Sequence, residues 1–403
     1  MTRRVLPNRL APEMHVYAED FDDVADRFKG IVASASWIAQ PGAVMDTVVP
    51  TAASYDPLIM TADQLCGYRT DTGDVIYEEK MIIGGAISAF EKRDVPLNEF
   101  TMAPGVSSAL MCVTSYLKYL GVSEVIFELP SYFASIEQAE LLGLNVGLFP
   151  SSPRNGYRIT ANDISLIDRL SSDPIALIVT QPRYGIGYNR SPEEIENLRT
   201  ALRPGDILVI DEAADQSVPS PLGSINLDGP VRIIRVRGLT KGLGLNSAKV
   251  AAILHPASAR SYFSEIVDVI GCALDAAALR VITDLARRPQ RYLDLLFSAQ
   301  SFVIEQYNTL RRATSGLPVS LAPIESGYLA TAYFPNTNGG DFEEFRSNFL
   351  EVAVNIQLPI VRGSSLYFPY DGTGEIIRIN YFTTRENIIA SGRAFETLLT
   401  SLA

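Results

Sequence analysis

The chain has 403 residues, 47% hydrophobic and 20% charged, which excludes a disordered or collagen-like polypeptide and allows two or three lobes around sizeable cores. Its 34 Lys and Arg against 46 Asp and Glu give a formal net charge of -12 without a basic cluster, so a general nucleic-acid binder is not expected. Cys66, Cys112 and Cys272 are too few and too widely spaced for a disulfide framework or a Cys-rich zinc site, and His15 and His255 are too few for the usual His-based metal sites or a Ser-His-Asp triad.

The N-terminus, Met1-Thr2-Arg3-Arg4, leads into Leu, Pro, Asn and Arg rather than into an apolar core with a cleavage site, and no long apolar run follows. The expectation is a cytoplasmic protein without signal peptide or membrane span. Residues before about 60 are irregular and interrupted by prolines. Between about 99 and 255, short β-rich apolar runs alternate with amphipathic stretches, the pattern of strands joined by crossover helices. The strands predicted are Glu99–Ala103, Glu124–Leu129, Leu144–Phe149, Ile175–Thr180, Asp206–Ile210, Arg232–Val236 and Lys249–Leu254. Being mostly unalternating, they imply one sheet buried on both faces. Helices are predicted over Ser107–Leu120 and Ser191–Leu202, the latter opening with Ser191 as N-cap, Pro192 at the first helical position and an acidic first turn. Residues 256–314 are Ala-, Leu- and Arg-rich at helical spacing, and 318–403 mix strands and helices. The fold class expected is α/β: a three-layer α/β/α large domain with a mainly parallel seven-stranded sheet, plus a smaller α+β domain. The expected division is an N-terminal arm with part of the small domain at 1–60, the large domain at 61–290 and the small domain at 291–403.

Three stretches carry chemistry. Lys241 lies in Arg237-Gly238-Leu239-Thr240-Lys241-Gly242-Leu243-Gly244, just after a predicted strand and among small residues. A lysine held in apolar surroundings loses its proton and forms a Schiff base with an aldehyde; the bland alternative is a solvated loop lysine. Thirty residues earlier, Asp211 stands at the carboxyl end of a buried strand, where ligands sit in open α/β sheets. It is placed either to hold a proton on a heteroaromatic nitrogen or simply to cap the next segment. Ala103-Pro104-Gly105-Val106-Ser107-Ser108 joins a strand to a helix and offers free N–H groups and hydroxyls to an anion. The order of the three is a stronger signal than any one of them.

The same landmarks, with Tyr68-Arg69-Thr70-Asp71-Thr72-Gly73, Pro130-Ser131-Tyr132, Gln181-Pro182-Arg183-Tyr184-Gly185-Ile186-Gly187, Asp211-Glu212-Ala213, Thr240-Lys241 with Lys249, and Ile377-Arg378-Ile379, appear in the order found in fold type I pyridoxal phosphate enzymes. The chain resembles the class I/II aminotransferase family over essentially its whole length. That resemblance implies pyridoxal 5'-phosphate as cofactor and an α-amino acid as substrate, with a keto acid or other second co-substrate. The reaction would pass through an external aldimine and Cα deprotonation. It implies Lys241 as Schiff-base lysine and proton shuttle, and Asp211 as partner of the pyridine nitrogen. Gly105, Val106 and Ser107 would form the phosphate turn, with Thr240 and Lys249 as its second half; Tyr132 would stack on the cofactor ring, and Arg378 would grip the substrate carboxylate. Tyr68 corresponds to a tyrosine reaching the neighbouring subunit's phosphate, which implies a homodimer with shared sites.

The pattern also breaks. The family's asparagine that bonds the cofactor's phenolate oxygen falls at Tyr184, the tyrosine that helps it falls at Ala214, a serine falls at Gly238, and the phosphate arginine is Lys249. Tyr184 would then replace the missing donor. Transamination is the default expectation, and elimination, replacement, cyclisation or carbon–carbon bond formation in specialised metabolism is the alternative. A sensor built on this fold is the remote one, disfavoured because Tyr68 leaves only a short arm ahead of it. Arg183, Arg235 and Arg237 read either as contacts for an acidic substrate or, more economically, as a solvated edge.

Overall fold

A computed structural model of the protein describes residues 4–5, 15–16 and 76–402, apart from 152–158, 166, 168, 171, 246–247, 272, 338, 357–368 and 371. Tyr68 and most of the 1–60 arm lie outside the described residues. The strands in chain order are β1 (Arg4–Val5), β2 (His15–Val16), β3 (Phe100–Ala103), β4 (Glu124–Leu129), β5 (Asn145–Pro150), β6 (Ile175–Thr180), β7 (Ile207–Glu212), β8 (Arg232–Gly238), β9 (Ala251–Leu254), β10 (Ser320–Leu321), β11 (Leu329–Pro335), β12 (Pro369–Tyr370) and β13 (Gly374–Asn380). The seven predicted strands, joined by the two-residue β1 at one edge, form a sheet of order β1-β5-β4-β6-β7-β8-β9-β3. Every neighbouring pair is parallel except the two that involve β9.

Strands β4, β6 and β7 are buried along their whole length, which explains their unalternating sequences. Successive residues serve opposite faces. Val125, Phe127, Val209 and Ile234 pack beneath α2 (Val106–Tyr119), α3 (Phe133–Leu141) and α6 (Arg260–Gly271). Ile126, Leu177, Leu208 and Ile233 join a second core with α1 (Tyr77–Glu91), α4 (Ala161–Ser165), α5 (Pro192–Ala201), α7 (Ala276–Ala286) and α8 (Pro289–Ala313). Among these, α5 carries the predicted N-cap, with the Ser191 side chain accepting from the Glu194 N–H at 3.1 Å and Glu194 reaching back to the Ser191 N–H.

Two strands run further than the sequence predicts, and charge pairing is the reason. Strand β7 continues through Asp211 and Glu212, and β8 through Arg237 and Gly238, because Glu212 and Arg237 are buried partners rather than solvated ends. Beyond α8, β10, β11 and β13 make an antiparallel sheet flanked by α9 (Phe342–Asn355) and α10 (Arg385–Leu402), while β12 pairs with β2 from the N-terminal arm. Helix α8 is 25 residues long and packs on α1, on the turn at Lys241 and on α10. No described helix is long and apolar enough to cross a membrane.

Candidate active site

The register of the large sheet assembles the site at the carboxyl edge of its parallel strands. Ala103 pairs with Ala251, and Ala251 in turn with Gly238, so the exits of β3 and β8 flank the start of β9. Gly105, Lys249 and Thr240-Lys241 therefore emerge side by side. A Cβ on Gly105, whose φ is +90°, would lie 3.1 Å from the Lys249 Cβ, so only glycine lets the lysine stem run along this turn. Helix α2 starts at Val106 with no side-chain cap, which leaves its first N–H groups facing out of the helix end. Thr240 donates its hydroxyl to the Ala248 carbonyl and so ties the two halves of the turn together.

One row further in, Thr180, Asp211 and Val236 stand abreast. Asp211 accepts the Ala213 N–H at 2.9 Å, and burial pushes its carboxyl up to about 6, against the opposing pull of the Lys241 charge and that N–H. Lys241 opens a short 3-10 turn that is held from behind: Tyr292 of α8 donates to the Leu239 carbonyl, and the Gln216 amide donates to the Gly242 carbonyl at 2.7 Å. Its Nζ lies 6.0 Å from the Tyr132 ring centroid, and the Tyr132 hydroxyl is 3.4 Å from the Ser107 hydroxyl.

Val106, Ser107, Tyr132, Tyr184, Asp211, Ala214 and Lys241 line a single cleft, which Gly327, Tyr328 and Leu329 close from the second sheet. Gly105 and Thr240 directly precede the lining residues Val106 and Lys241, and the Lys249 stem runs along Gly105. Tyr184 is in the cleft, as the sequence implies, but the Arg378 guanidinium donates a hydrogen bond to its hydroxyl. Arg378, on β13, is 1% exposed and sits behind the wall that Tyr184 and Tyr328 form. Ala214 contributes no hydroxyl, and Gly238 has no room for one: a Cβ there would approach the Ala213 carbonyl to 2.4 Å.

The solvated-edge reading of Arg183, Arg235 and Arg237 is corrected, since all three are buried in ion pairs. Arg183 and Arg190 share Glu128. Arg235 meets Glu212 at 2.7 Å, and Arg237 meets Glu212 at 3.2 Å and Asp215 at 3.4 Å, with Glu91 of α1 closing the group. Removing one partner of such a cluster leaves an uncompensated buried charge, at a cost of about 3–5 kcal/mol. These arginines brace the strand ends beneath the site.

The donor set fits a flat, protonated heteroaromatic ring bearing an aldehyde and a dianionic tail. Uncapped N–H groups and Lys249 could hold such a tail, Asp211 could accept a hydrogen bond from a protonated ring nitrogen, Tyr132 could offer a face and Lys241 an amine. Tyr292, Gln216 and Tyr328 were not singled out by sequence reasoning. Only the Gly327-Tyr328 step at the head of an apolar strand carries a local signal, because a glycine there marks a close backbone approach.

Comparison with known proteins gives a consistent picture. A family model for aminotransferase class I and II matches residues 92–387. Among solved structures, aspartate aminotransferase from Thermus thermophilus with maleate aligns over 96% of this chain and 97% of its own, at 14% identity and a TM-score of 0.71. An Escherichia coli protein with a methionine aminotransferase function aligns over 94% and 95%, at 16% identity and a TM-score of 0.71. Aromatic aminotransferase from Pyrococcus horikoshii aligns over 94% and 98%, at 13% identity and a TM-score of 0.71. No curated protein matches by sequence.

Proposed function

The chain belongs to the aminotransferase class I and II family, and from that premise we propose that this pyridoxal phosphate-dependent enzyme transfers the amino group of an α-amino acid to a keto acid. The observation that carries the reading is that Lys241 shares one cleft with Asp211, Tyr132 and the uncapped start of α2. When bound, the cofactor supplies an aldehyde that takes the amino group and a ring that draws in electrons from Cα.

The chain's own residues do the rest. The N–H groups of Val106 and Ser107, with Thr240 and Lys249, hold the phosphate. Asp211 keeps the ring nitrogen protonated: a carboxyl that burial raises to about 6 regains its charge most readily beside a cation. Tyr132 fixes the ring plane. Lys241 Nζ anchors the cofactor, takes the proton from Cα of the amino acid and returns it elsewhere. Arg378 supplies the positive charge that draws the substrate carboxylate to the opposite end. The partner subunit's Tyr68 completes the phosphate end in a homodimer, and the few widely spaced cysteines support a cytoplasmic setting.

Borohydride reduction followed by peptide mapping tests the anchor: a pyridoxyl mass on Lys241 is expected, and a label on another lysine would refute the assignment. Lys241→Ala should keep part of the cofactor but lose nearly all turnover. A second reading, a non-transaminating reaction, is favoured by one feature. Ala214 offers no hydroxyl and Tyr184 is engaged with Arg378, so the cofactor's phenolate oxygen has a different set of donors from the usual one. Incubation with candidate amino acids and a keto acid separates the two, since only transamination turns the added keto acid into the amino acid of the same carbon skeleton.

A further inference from the structure

We propose that the Tyr328 hydroxyl is a direct hydrogen-bond donor to the α-carboxylate of the substrate, a contact that rests on the reading of Arg378 as the charge drawing that carboxylate. Tyr328 is fully buried and lines the cleft, yet its hydroxyl has no hydrogen-bond partner among the described residues. Its place is fixed from three sides. Gly327 brings the chain so close that a Cβ would stand 2.9 Å from Pro182, the Tyr328 carbonyl accepts the Tyr381 N–H at 2.8 Å, and the ring lies 5.8 Å from that of Phe382.

The group nearest in charge is the Arg378 guanidinium, which has donors only and cannot accept the phenolic proton. Burial raises the phenol above its ordinary range, so it stays protonated and donates. A buried donor beside a cation, at the wall of a ligand cleft, calls for an anionic acceptor delivered from the cleft. A carboxylate drawn towards the Arg378 charge comes to the wall at Tyr328, and Tyr328 thereby joins the residues that orient the amino acid.

The test uses the holoenzyme and three unreactive carboxylates with different tails: propanoate, butanoate and 3-phenylpropanoate. Binding is followed through the absorbance of the bound cofactor. Tyr328→Phe should raise all three dissociation constants by a similar factor, about ten- to hundredfold for one hydrogen bond to a charged group, with cofactor content and thermal unfolding unchanged. Arg378→Lys should also weaken all three. Losses with Arg378→Lys but none with Tyr328→Phe would overturn the Tyr328 contact and leave the reading of Arg378 intact. A Tyr328→Phe loss confined to one tail would assign the hydroxyl to the side chain and equally overturn the contact. No loss in either variant would refute the reading of Arg378 itself.

Discussion

Asp211 carries a cost that shows in the pH dependence of the cofactor-free protein. Burial moves its carboxyl from 3.8 to about 6, so the ionised form is the disfavoured one in the fold. The group's contribution to stability is complete below about 4 and is lost as the pH rises through 6, leaving a burden on the order of 3 kcal/mol at neutral pH. Asp211→Asn should therefore make the cofactor-free protein more resistant to urea at pH 7.5, and that advantage should vanish towards pH 4. The same variant should hold cofactor more weakly. An advantage that does not change with pH would mean that Asp211 is not strained by burial. Asp211 and Lys241 are legible in the sequence because each follows a recognisable strand. The Tyr184–Arg378 bond and the Tyr328 hydroxyl are not, since they depend on β13 and residues 324–328 coming against residues 181–187, of which only the glycine at 327 gives a local sign.

Element by element, the strands of the large sheet are readable from apolar runs, and their ends are misread where a buried ion pair lets a strand carry charge inside. Helix α1 was not anticipated, although Ile83, Ile87 and Phe90 bury one face of it. Lys80 and Glu91 are buried on the same helix and blur the periodicity; Glu91 is there to meet Arg235. The turn after β8 gives the sharpest test at this scale. Gly238 faces the Ala213 carbonyl at 2.4 Å and Val106 at 3.3 Å from a built Cβ, so the strand end touches both the Asp211 turn and the start of α2. Gly238→Ser, which restores the residue common in the family, should lower stability by about 1–3 kcal/mol through overpacking. It should also loosen cofactor binding, read as a lower melting temperature and faster loss of cofactor on dialysis. A serine tolerated at full stability would show that the two turns can separate at no cost.

For the molecule as a whole, the site draws on the large sheet, the second sheet and, in the proposed homodimer, Tyr68 of the other chain. Mixing Lys241→Ala chains with Tyr68→Phe chains should restore turnover in heterodimers, because one of their two sites is built wholly from unchanged residues. A mixture no more active than its separate components would remove the role given to Tyr68. The turn at 324–328 bears on a different matter. Its backbone is pinned to the Gly187 carbonyl by the N–H groups of Glu325 and Ser326, and the Ser326 hydroxyl bonds Asp215, while its one side chain in the cleft is Tyr328. In the proposed reading the hold on the substrate carboxylate and the Schiff-base chemistry thus lie in separate stretches of the chain. Because that turn is anchored through its backbone and Ser326, a change at position 328 alone can retune the proposed carboxylate contact while the lysine and the aspartate stay as they are.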